Sequence, residues 1–388
     1  MDRRTFMTSA AAVAITAGMT AQPAVAQGKK YKACIIGDTK NGGYGHALHL
    51  VFKLRDDVEV VALADPDEAG RAKMAAECGA LRTYADYREM LEKEKPNLVS
   101  IAPRITTTHK EYMLACAAIG AHGFMEKPFT PTCAEADEVI AAINQKNLKW
   151  SLAYNFRATN AIQYLRKAIF EDGLIGEVFE MHARGKEDHR AGGEDVIVLG
   201  THLFDLMVFF AGAPEWCASD ITVEGRPATK ADVREGTEPL GPIVGDSVTG
   251  YFGFKNGIRG QFSSRKNKEN GGGRWGIDIY GSKGVVTVRL DVNPIIQFMP
   301  DPTWSGKAAW GPVPGMPEPN MKDLTLERYQ PCVNDLIACI ENGGEPAYGF
   351  KNALLSLEMI QGIWESCVKS GRVAMPLQER THPLSRWA

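Results

Sequence analysis

Hydrophobic positions in the first third of the chain form short apolar stretches separated by segments with helical spacing. The stretches have the length of buried strands, and they lie at 32–36, 58–64, 98–102, 122–125 and 149–153. Apolar residues at three- and four-residue spacing predict helices at 67–78, 108–119 and 131–145. This alternation is typical of an α/β domain with a doubly wound parallel sheet and helices on both faces.

After residue 155 the pattern changes to strands and turns. One helix is predicted at 160–171, and it ends before Gly173. The predicted strands lie at 178–184, 247–254, 258–264, 275–280 and 285–290. Asn256-Gly257 is typical of a hairpin turn. The pattern therefore predicts a second domain of the antiparallel α+β type, which ends in two helices at 326–341 and 352–369.

Residues 293–321 are rich in Pro, Gly and Trp and show no period, so we expect a long irregular loop. Trp304 and Trp310 in this segment have two interpretations. Each indole either stacks on a sugar ring or packs in the core.

The first 26 residues differ from the rest. Arg3-Arg4 precedes a short apolar stretch at 10–19 and a small-residue motif that ends at Ala26. This arrangement predicts a twin-arginine signal peptide. The alternative, a membrane anchor, needs about 20 apolar residues. We therefore expect three parts, a signal peptide at 1–26, a nucleotide-binding domain at 27–153 and a substrate-binding and oligomerisation domain at 154–388, in a periplasmic or otherwise exported protein with no membrane contact after cleavage.

Charge and cysteine content narrow the possible classes of protein. The net charge is −3 with no run of five Lys or Arg, so nucleic acid is excluded as the main partner. None of the eight cysteines forms a C-x-x-C pair, which favours buried free thiols.

A glycine-rich turn follows the first strand and begins at Gly37. The turn also contains Thr39, Gly42, Gly43, Tyr44 and Gly45. With a helix beginning near Tyr44, such a turn would let a pyrophosphate approach the helix N-terminus, although the spacing is not G-x-G-x-x-G. Asp65 lies 20 residues beyond Gly45, where a carboxylate accepts hydrogen bonds from ribose hydroxyls. These features favour NAD, with NADP as the alternative cofactor. A helix-capping role is the alternative for Asp65.

Glu126-Lys127-Pro128 ends the fourth predicted strand, and the carboxyl end of a parallel strand faces the ligand crevice. Alone, Lys127 would be interpreted as a solvated surface lysine. The motif does not stand alone, because several further features accompany it. These features are the glycine-rich turn, Asp65-Pro66-Asp67, His109 placed 17 residues before Glu126, Arg157, Gly173-Leu174-Ile175-Gly176, and His202 with Asp205.

Together these motifs resemble the Gfo/Idh/MocA family, which includes glucose-fructose oxidoreductase and inositol dehydrogenase. The resemblance covers nearly the whole chain after the signal peptide. It implies a Rossmann domain followed by a large open antiparallel sheet, and a homo-oligomer formed through that sheet. The resemblance also implies that Lys127 lies beside the nicotinamide and that His202 is the active-site histidine. Without the resemblance, His202 would be interpreted as a core residue. The implied cofactor contacts are Gly37, Thr39, Gly42, Gly43, Tyr44, Gly45, Asp65, Pro103, His109, Glu126, Lys127 and Arg157.

The sequence departs from the family pattern at Val198, where many members carry an aspartate. The glycine turn and the segment 103–109 are also longer than usual. A charged segment around Glu194 then has two interpretations. One is the rim of a sugar pocket, with the substrate-binding candidates His182, Arg184, Glu194, Asp195 and Asp205. The other is a divalent metal site built from some of Glu194, Asp195, His182, His189 and His202, although we expect no metal because the spacing matches no compact ligand motif.

The function that follows is an exported NAD(P)-dependent oxidoreductase that moves a hydride at a secondary carbon of a sugar, polyol or sugar derivative. Because a periplasm holds no free NAD pool, we expect the cofactor to be retained. Two alternatives stay open. One is a redox-neutral glycoside hydrolase, lyase or epimerase, with or without a metal. The other is a nucleotide- or sugar-binding protein without chemistry.

Overall fold

A six-stranded parallel sheet forms the first domain of the computed structural model, which describes residues 31–266, 275–290, 295–303, 305–317 and 326–387. Its strands are β1 Tyr31–Ile36, β2 Val58–Ala64, β3 Arg82–Tyr84, β4 Leu98–Ile101, β5 His122–Met125 and β6 Trp150–Leu152. Their order is β3-β2-β1-β4-β5-β6, with every neighbouring pair parallel. The order reverses between β1 and β4, which is where such sheets bind ligands. The predicted doubly wound sheet is confirmed.

Four α-helices cover this sheet. They are α1 Glu68–Cys78, α2 Tyr87–Glu94, α3 Thr106–Ile119 and α4 Cys133–Gln145. The side chain of Asp67 caps α1 by accepting a hydrogen bond from the Gly70 amide at 2.8 Å. The prediction omitted β3 and α2, because both are short and bury few residues.

The prediction of a helix that begins near Tyr44 is wrong. The chain continues to turn through residues with positive φ, and a 3₁₀-helix begins only at Leu48 and ends at Leu54. The positive-φ residues are Gly42, Gly43, Gly45 and Ala47. The glycine turn therefore presents loop amides, not the first turn of an α-helix, at the end of β1.

A nine-stranded, mainly antiparallel sheet forms the second domain of the described chain. Its principal strands are β7 Val178–Arg184, β8 Pro214–Val223, β9 Ser247–Phe254, β10 Arg259–Arg265, β11 Gly276–Gly281, β12 Gly284–Arg289, β13 Ile295–Met299 and the short β14 Val373–Ala374. They follow the order β13-β12-β11-β7-β10-β9-β8-β14, and Arg226–Pro227 pairs with β8. Only β7 and β10 pair in parallel among these neighbours. The predicted α+β domain is confirmed.

Two of these strands correct the sequence prediction. β8 was not predicted, because its fully buried residues are Pro214, Cys217 and Ile221, and this spacing lacks the period of two. β13 lies inside the segment predicted to be an irregular loop. Trp304 lies outside the described residues, while Trp310 contributes to a shallow pocket on the open face of the sheet.

Helices of the second domain pack on one face of its sheet, against the first domain, or against both. They are α5 Asn160–Phe170, α6 Gly193–Val198, α7 Gly200–Ala211, α8 Gln330–Asn342 and α9 Phe350–Val368. Leu336 of α8 belongs to the same buried cluster as Ile35 of β1. Phe350 at the start of α9 packs with β5 and β6, whereas Trp364 near its end packs under the second sheet. These helices therefore fix the crevice between the two sheets.

All eight cysteines are free thiols and six are buried. In the part of the chain that the structure describes, no helix is long and apolar enough to cross a bilayer. The predicted signal peptide at 1–26 lies outside the described residues.

Candidate active site

A cavity of about 370 Å³ opens where the carboxyl ends of β1, β4, β5 and β6 face α6 and α7. Residues from both domains line it. They are His46, Arg104, Lys127, Pro128, Asn155, Phe156, Lys186, Arg190, Val198, Leu199, His202, Glu238, Leu240, Trp275, Leu290 and Arg328. The structure thus brings Lys127 and His202, the two predicted catalytic residues, to one cavity.

Lys127 lies two residues beyond the end of β5, so its side chain reaches the crevice at the carboxyl end of that strand. The side chain is 4% exposed, and Nζ donates a hydrogen bond to the Val198 carbonyl at 3.2 Å. Burial lowers the pKa of Lys127, and the adjacent Glu126 carboxylate opposes that shift. A backbone carbonyl therefore holds the ammonium at Val198, where the family resemblance implies a carboxylate.

His202 lies in the first turn of α7 and is 6% exposed. Its ring lies among aromatic edges, with ring centroids at 5.0 Å from Phe156 and 6.0 Å from Trp275. Burial, followed by the charge of Lys127, lowers the pKa of His202 well below its ordinary value. The imidazole is therefore neutral at pH 7 and can accept a proton.

Glu126 lies fully buried behind the cavity wall. Its carboxylate accepts hydrogen bonds from the His46 amide at 3.2 Å and from the Lys127 amide at 3.2 Å, and it lies 3.1 Å from His46 Nδ1. Burial alone would raise the pKa of Glu126, but His46 and Lys127 lower it to about 2. Glu126 is thus a fixed negative charge that joins the glycine turn to the lysine.

The glycine turn fits a nucleotide at the switch point of the sheet. Gly42 and Gly45 have positive φ, and a Cβ on Gly45 would lie 2.7 Å from the Ala102 carbonyl and 2.4 Å from Glu126 Oε2. Only glycine therefore permits this close approach of the turn to the ends of β4 and β5. The Gly43 Cα faces open space, where a phosphate has room.

Asp65 does not lie open to a ribose in this conformation. It is fully buried, and its Oδ2 accepts hydrogen bonds from the Thr39 amide at 3.0 Å, the Thr39 hydroxyl at 2.6 Å and the Tyr44 hydroxyl at 2.7 Å. The Tyr44 ring covers Gly37, since a Cβ there would lie 2.2 Å from the ring. Ribose hydroxyls would have to replace these donors.

Pro103 and His109 contribute to the cofactor side indirectly. His109 is fully buried, with its ring nitrogens 2.8 Å from the Pro103 carbonyl and 2.7 Å from the Phe129 carbonyl. It ties the loop after β4 to the loop after β5. His109 is therefore a positioning residue behind the cavity, and neither it nor Pro103 lines that cavity in the described structure.

Arg157 and Asp205 require a correction. The sequence predicted a cofactor contact for Arg157 and a substrate contact for Asp205, but the two pair with each other, with Arg157 Nε 3.0 Å from Asp205 Oδ2 and both side chains buried. The guanidinium lies over the rings of Tyr348 and Phe209 at 5.0 and 5.7 Å. Burial raises the pKa of Asp205 to about 6, against the effect of Arg157. Their position under the domain junction indicates a structural ion pair.

Glu194 and Asp195 also require a correction. Both carboxylates are buried and bind loops instead of facing the cavity. Glu194 accepts hydrogen bonds from the Thr237 amide and hydroxyl and from the Glu238 amide. Asp195 accepts them from Ser264 Oγ at 2.6 Å and from the Glu187 amide at 3.0 Å. The sequence suggested that Glu194 and Asp195 form the rim of a sugar pocket. In the structure their hydrogen bonds connect the segments behind the cavity wall.

His182 and Arg184 are the remaining substrate candidates, and they lie on the open face of the second sheet. They alternate along β7 with the buried Met181 and Ala183, whose side chains pack toward the helices. Their predicted substrate contacts are therefore not supported. Among the described residues, no group of three or more His, Cys, Asp or Glu is placed to hold a metal.

Sequence reasoning missed several lining residues. Asn155 follows β6 as Lys127 follows β5, and His46 directly follows the glycine turn, so both had a usable positional signal. Glu238, Trp275 and Arg328 come from distant segments with no local motif. Only the fold places them on the same cavity as His202.

Comparison with known proteins identifies the family of this chain. Residues 32–154 match the model of the Gfo/Idh/MocA oxidoreductase family described as an NAD-binding Rossmann fold, and residues 171–375 match the family's C-terminal alpha/beta domain. The chain is 26% identical over 370 residues to D-apiose dehydrogenase from Paraburkholderia graminis, with 92% of each chain covered. It is 25% identical over 257 residues to levoglucosan dehydrogenase from Pseudarthrobacter phenanthrenivorans, covering 60% of this chain and 65% of the relative.

A solved structure shares the fold. Levoglucosan dehydrogenase in complex with NADH and levoglucosan superposes with a TM-score of 0.72 at 20% identity, covering 90% of this chain and all of that one. The two family models together span both sheets and most of the residues that line the cavity between them. The chain therefore belongs to the Gfo/Idh/MocA oxidoreductase family, with an NAD-binding Rossmann domain.

Proposed function

We propose that this protein is an NAD-dependent dehydrogenase that oxidises a secondary hydroxyl group of a sugar, polyol or sugar derivative. The observation that carries the proposal is the placement of Lys127 and the neutral His202 on one cavity at the switch point of the Rossmann sheet. Relatives named as dehydrogenases of apiose, levoglucosan and myo-inositol support a sugar-like substrate.

Bound NAD supplies the hydride acceptor in this chemistry. His202 accepts the proton of the reacting hydroxyl, because its imidazole is neutral and buried. The Lys127 ammonium donates a hydrogen bond to the same oxygen and stabilises the developing alkoxide. The Val198 carbonyl, 3.2 Å from Nζ, holds the ammonium in place. Phe156, Leu240 and Trp275 give the cavity an apolar surface.

The proposal includes export and oligomerisation. The twin-arginine motif at the N-terminus supports export of the folded protein with its cofactor retained. The open face of the second sheet supports a homo-oligomer, because no described helix covers it and it exposes Tyr251 and Ile295.

The test begins with denaturation of the purified protein and identification of any released nucleotide by absorbance and mass spectrometry. Near-stoichiometric NAD(H) is expected. Sugars and polyols are then screened by NADH absorbance, and glycosides are screened for breakdown without net NADH. A protein that neither releases nor binds NAD(H) or NADP(H) would overturn the proposal, and glycoside breakdown without NADH would replace it with the redox-neutral alternative.

Lys127→Ala tests the catalytic assignment. We expect kcat to fall by about 10²- to 10⁴-fold with NADH binding retained, because the change removes the charge beside the reacting oxygen. Lys255→Ala is the matched control, since Lys255 lies in an exposed turn between β9 and β10. Turnover that is unchanged in Lys127→Ala would show that Lys127 does not take part.

A further inference from the structure

The cavity lining is strongly basic. Among the described residues that line it, five are lysines or arginines, whereas Glu238 alone carries a carboxylate. The basic residues are Arg104, Lys127, Lys186, Arg190 and Arg328. A partly enclosed cavity with one dominant sign of charge attracts ligands of the opposite sign.

Carboxylates neutralise part of this charge. Arg190 Nη2 lies 2.6 Å from Asp188 Oδ2, and Arg190 Nη1 lies 3.3 Å from Glu238. The buried Glu126 lies beside Lys127. Three carboxylates set against five basic side chains leave an excess of two basic residues, counted without the histidines.

Arg190 faces two of the three carboxylates, so Arg104, Lys186 and Arg328 have no carboxylate partner among the described residues, and Lys186 and Arg328 are the two of these that come from the second domain. Within the described residues neither forms an ion pair with a carboxylate: Lys186 Nζ lies 5.9 Å from the centre of the Trp275 ring, and Arg328 Nη2 donates to the Tyr329 hydroxyl at 3.0 Å. Arg328 Nε is buried and makes no hydrogen bond to this part of the chain. Placing an unpaired cation in a half-buried wall costs stability, and an incoming anion would offset that cost.

These two residues lie apart from the expected position of the cofactor phosphates. The phosphates belong at the glycine turn, beside Arg104, whose amide donates to the Gly42 carbonyl at 3.3 Å. Lys186 follows β7 and Arg328 precedes α8, so both come from the second domain. The Trp275 ring below Lys186 also contacts the His202 ring, and the charge of Arg328 helps to lower the pKa of His202. Both cations therefore belong to the reacting end of the cavity.

We propose that the cavity selects a substrate with an anionic group, a sugar acid or a sugar phosphate, and that Lys186 and Arg328 bind this group. The inference rests on the proposed dehydrogenase function. Trp275 and Phe156 provide apolar surfaces for the sugar ring. Asn155 is 4% exposed and its Nδ2 has no partner in the described chain, so it provides a donor for a sugar hydroxyl.

The test measures binding to the NADH-saturated protein by calorimetry at low salt. The ligands form pairs that differ only in the anionic group, namely D-glucuronate and D-galacturonate against D-glucose and D-galactose, and D-glucose 6-phosphate against D-glucose. At least one acid is expected to bind about tenfold or more tightly than its neutral counterpart, with an affinity that falls as salt is added. The uronate and phosphate arms identify which anion is preferred. Equal affinity within every pair, or no binding by any acid, overturns the inference.

Two variants test whether Lys186 and Arg328 bind the anionic group of the ligand. Lys186→Gln and Arg328→Gln are each expected to weaken binding of the acid by about 10- to 100-fold, while the affinity for the neutral sugar changes by less than about twofold. Lys255→Gln, which removes the same charge from an exposed turn, should change neither affinity. The thermal midpoint of both pocket variants should not fall, because each removes an unpaired cation. Equal weakening of acid and neutral ligands would show a structural role instead.

A separate NADH titration distinguishes failure of the proposed dehydrogenase function from failure of the inference about an anionic substrate. A protein that does not bind NADH contradicts the proposed function itself. A protein that binds NADH and prefers neutral sugars contradicts only the selection of an anionic substrate.

Discussion

Two buried titratable side chains, Lys127 and His202, set the expected pH dependence of the reaction. His202 must be neutral to accept a proton, so activity falls only below its lowered pKa, well under 6.5. Lys127 must be charged to stabilise an alkoxide, so activity falls above its lowered pKa, which lies under 10.5. We therefore expect kcat/KM, measured with saturating NAD, to decline on the acid side only well below pH 6.5 and to begin its decline on the basic side below pH 10.5.

His202→Asn provides the check on this assignment. It should lower kcat/KM by about 10²- to 10⁴-fold and remove the acid limb, because asparagine does not titrate. An acid limb centred at or above pH 6.5 in the unmodified enzyme would assign the titration to another group.

The buried Arg157–Asp205 pair supports a prediction on stability. Replacing one member leaves the other charge buried without a partner, so Arg157→Met or Asp205→Leu should each lower the free energy of unfolding by about 3–5 kcal/mol. The double variant should recover most of this loss, because apolar residues of similar volume can pack against Tyr348 and Phe209. Urea denaturation of all four proteins measures the coupling, and additive losses would contradict the assignment as an isolated structural pair.

At the scale of elements, the glycine turn depends on Asp65. Three donors converge on its Oδ2, while Oδ1 accepts a hydrogen bond from the Asp67 amide at 2.9 Å. Asparagine has one carbonyl oxygen, so it cannot accept hydrogen bonds both from the three donors on Oδ2 and from the Asp67 amide on Oδ1. Asp65→Asn should therefore weaken NADH binding by about tenfold or more, as measured by fluorescence titration. Asp67→Asn is the control, since asparagine also caps a helix, and an equal effect of both changes would contradict a specific role for Asp65.

Elements with a clear period were predictable from the sequence, and so was the chemistry placed at their ends. The strand that ends at Met125 and the lysine two residues beyond it could be located because buried parallel strands are continuous apolar runs. The interpretation of Glu194 and Asp195 failed for a physical reason. A sequence shows that carboxylates are present, but whether hydroxyls and amides of distant segments satisfy them depends on the tertiary fold. Arg328 was missed for the same reason.

At the scale of the whole molecule, the site exists only because two sheets are fixed against each other. Lys127 comes from the first sheet, whereas Val198 and His202 come from the helices on the second. Helices α8 and α9 bury residues in the cores of the first domain, and α9 also packs under the second sheet. The same helical packing leaves the opposite face of the second sheet without a covering layer in the described structure.

That uncovered face leads to the prediction for assembly. Tyr251 is 44% exposed on β9, and its cross-strand neighbours Gln261 and His182 continue the same face across β10 and β7. A face repeated on each copy can form an isologous interface, so light scattering should give a mass of two or more chains. Tyr251→Glu places like charges close together across such an interface and should shift the protein toward the monomer. Leu81→Glu, at a more exposed apolar residue on the first domain, should leave the mass unchanged, and a monomeric unmodified protein would refute the use of this face.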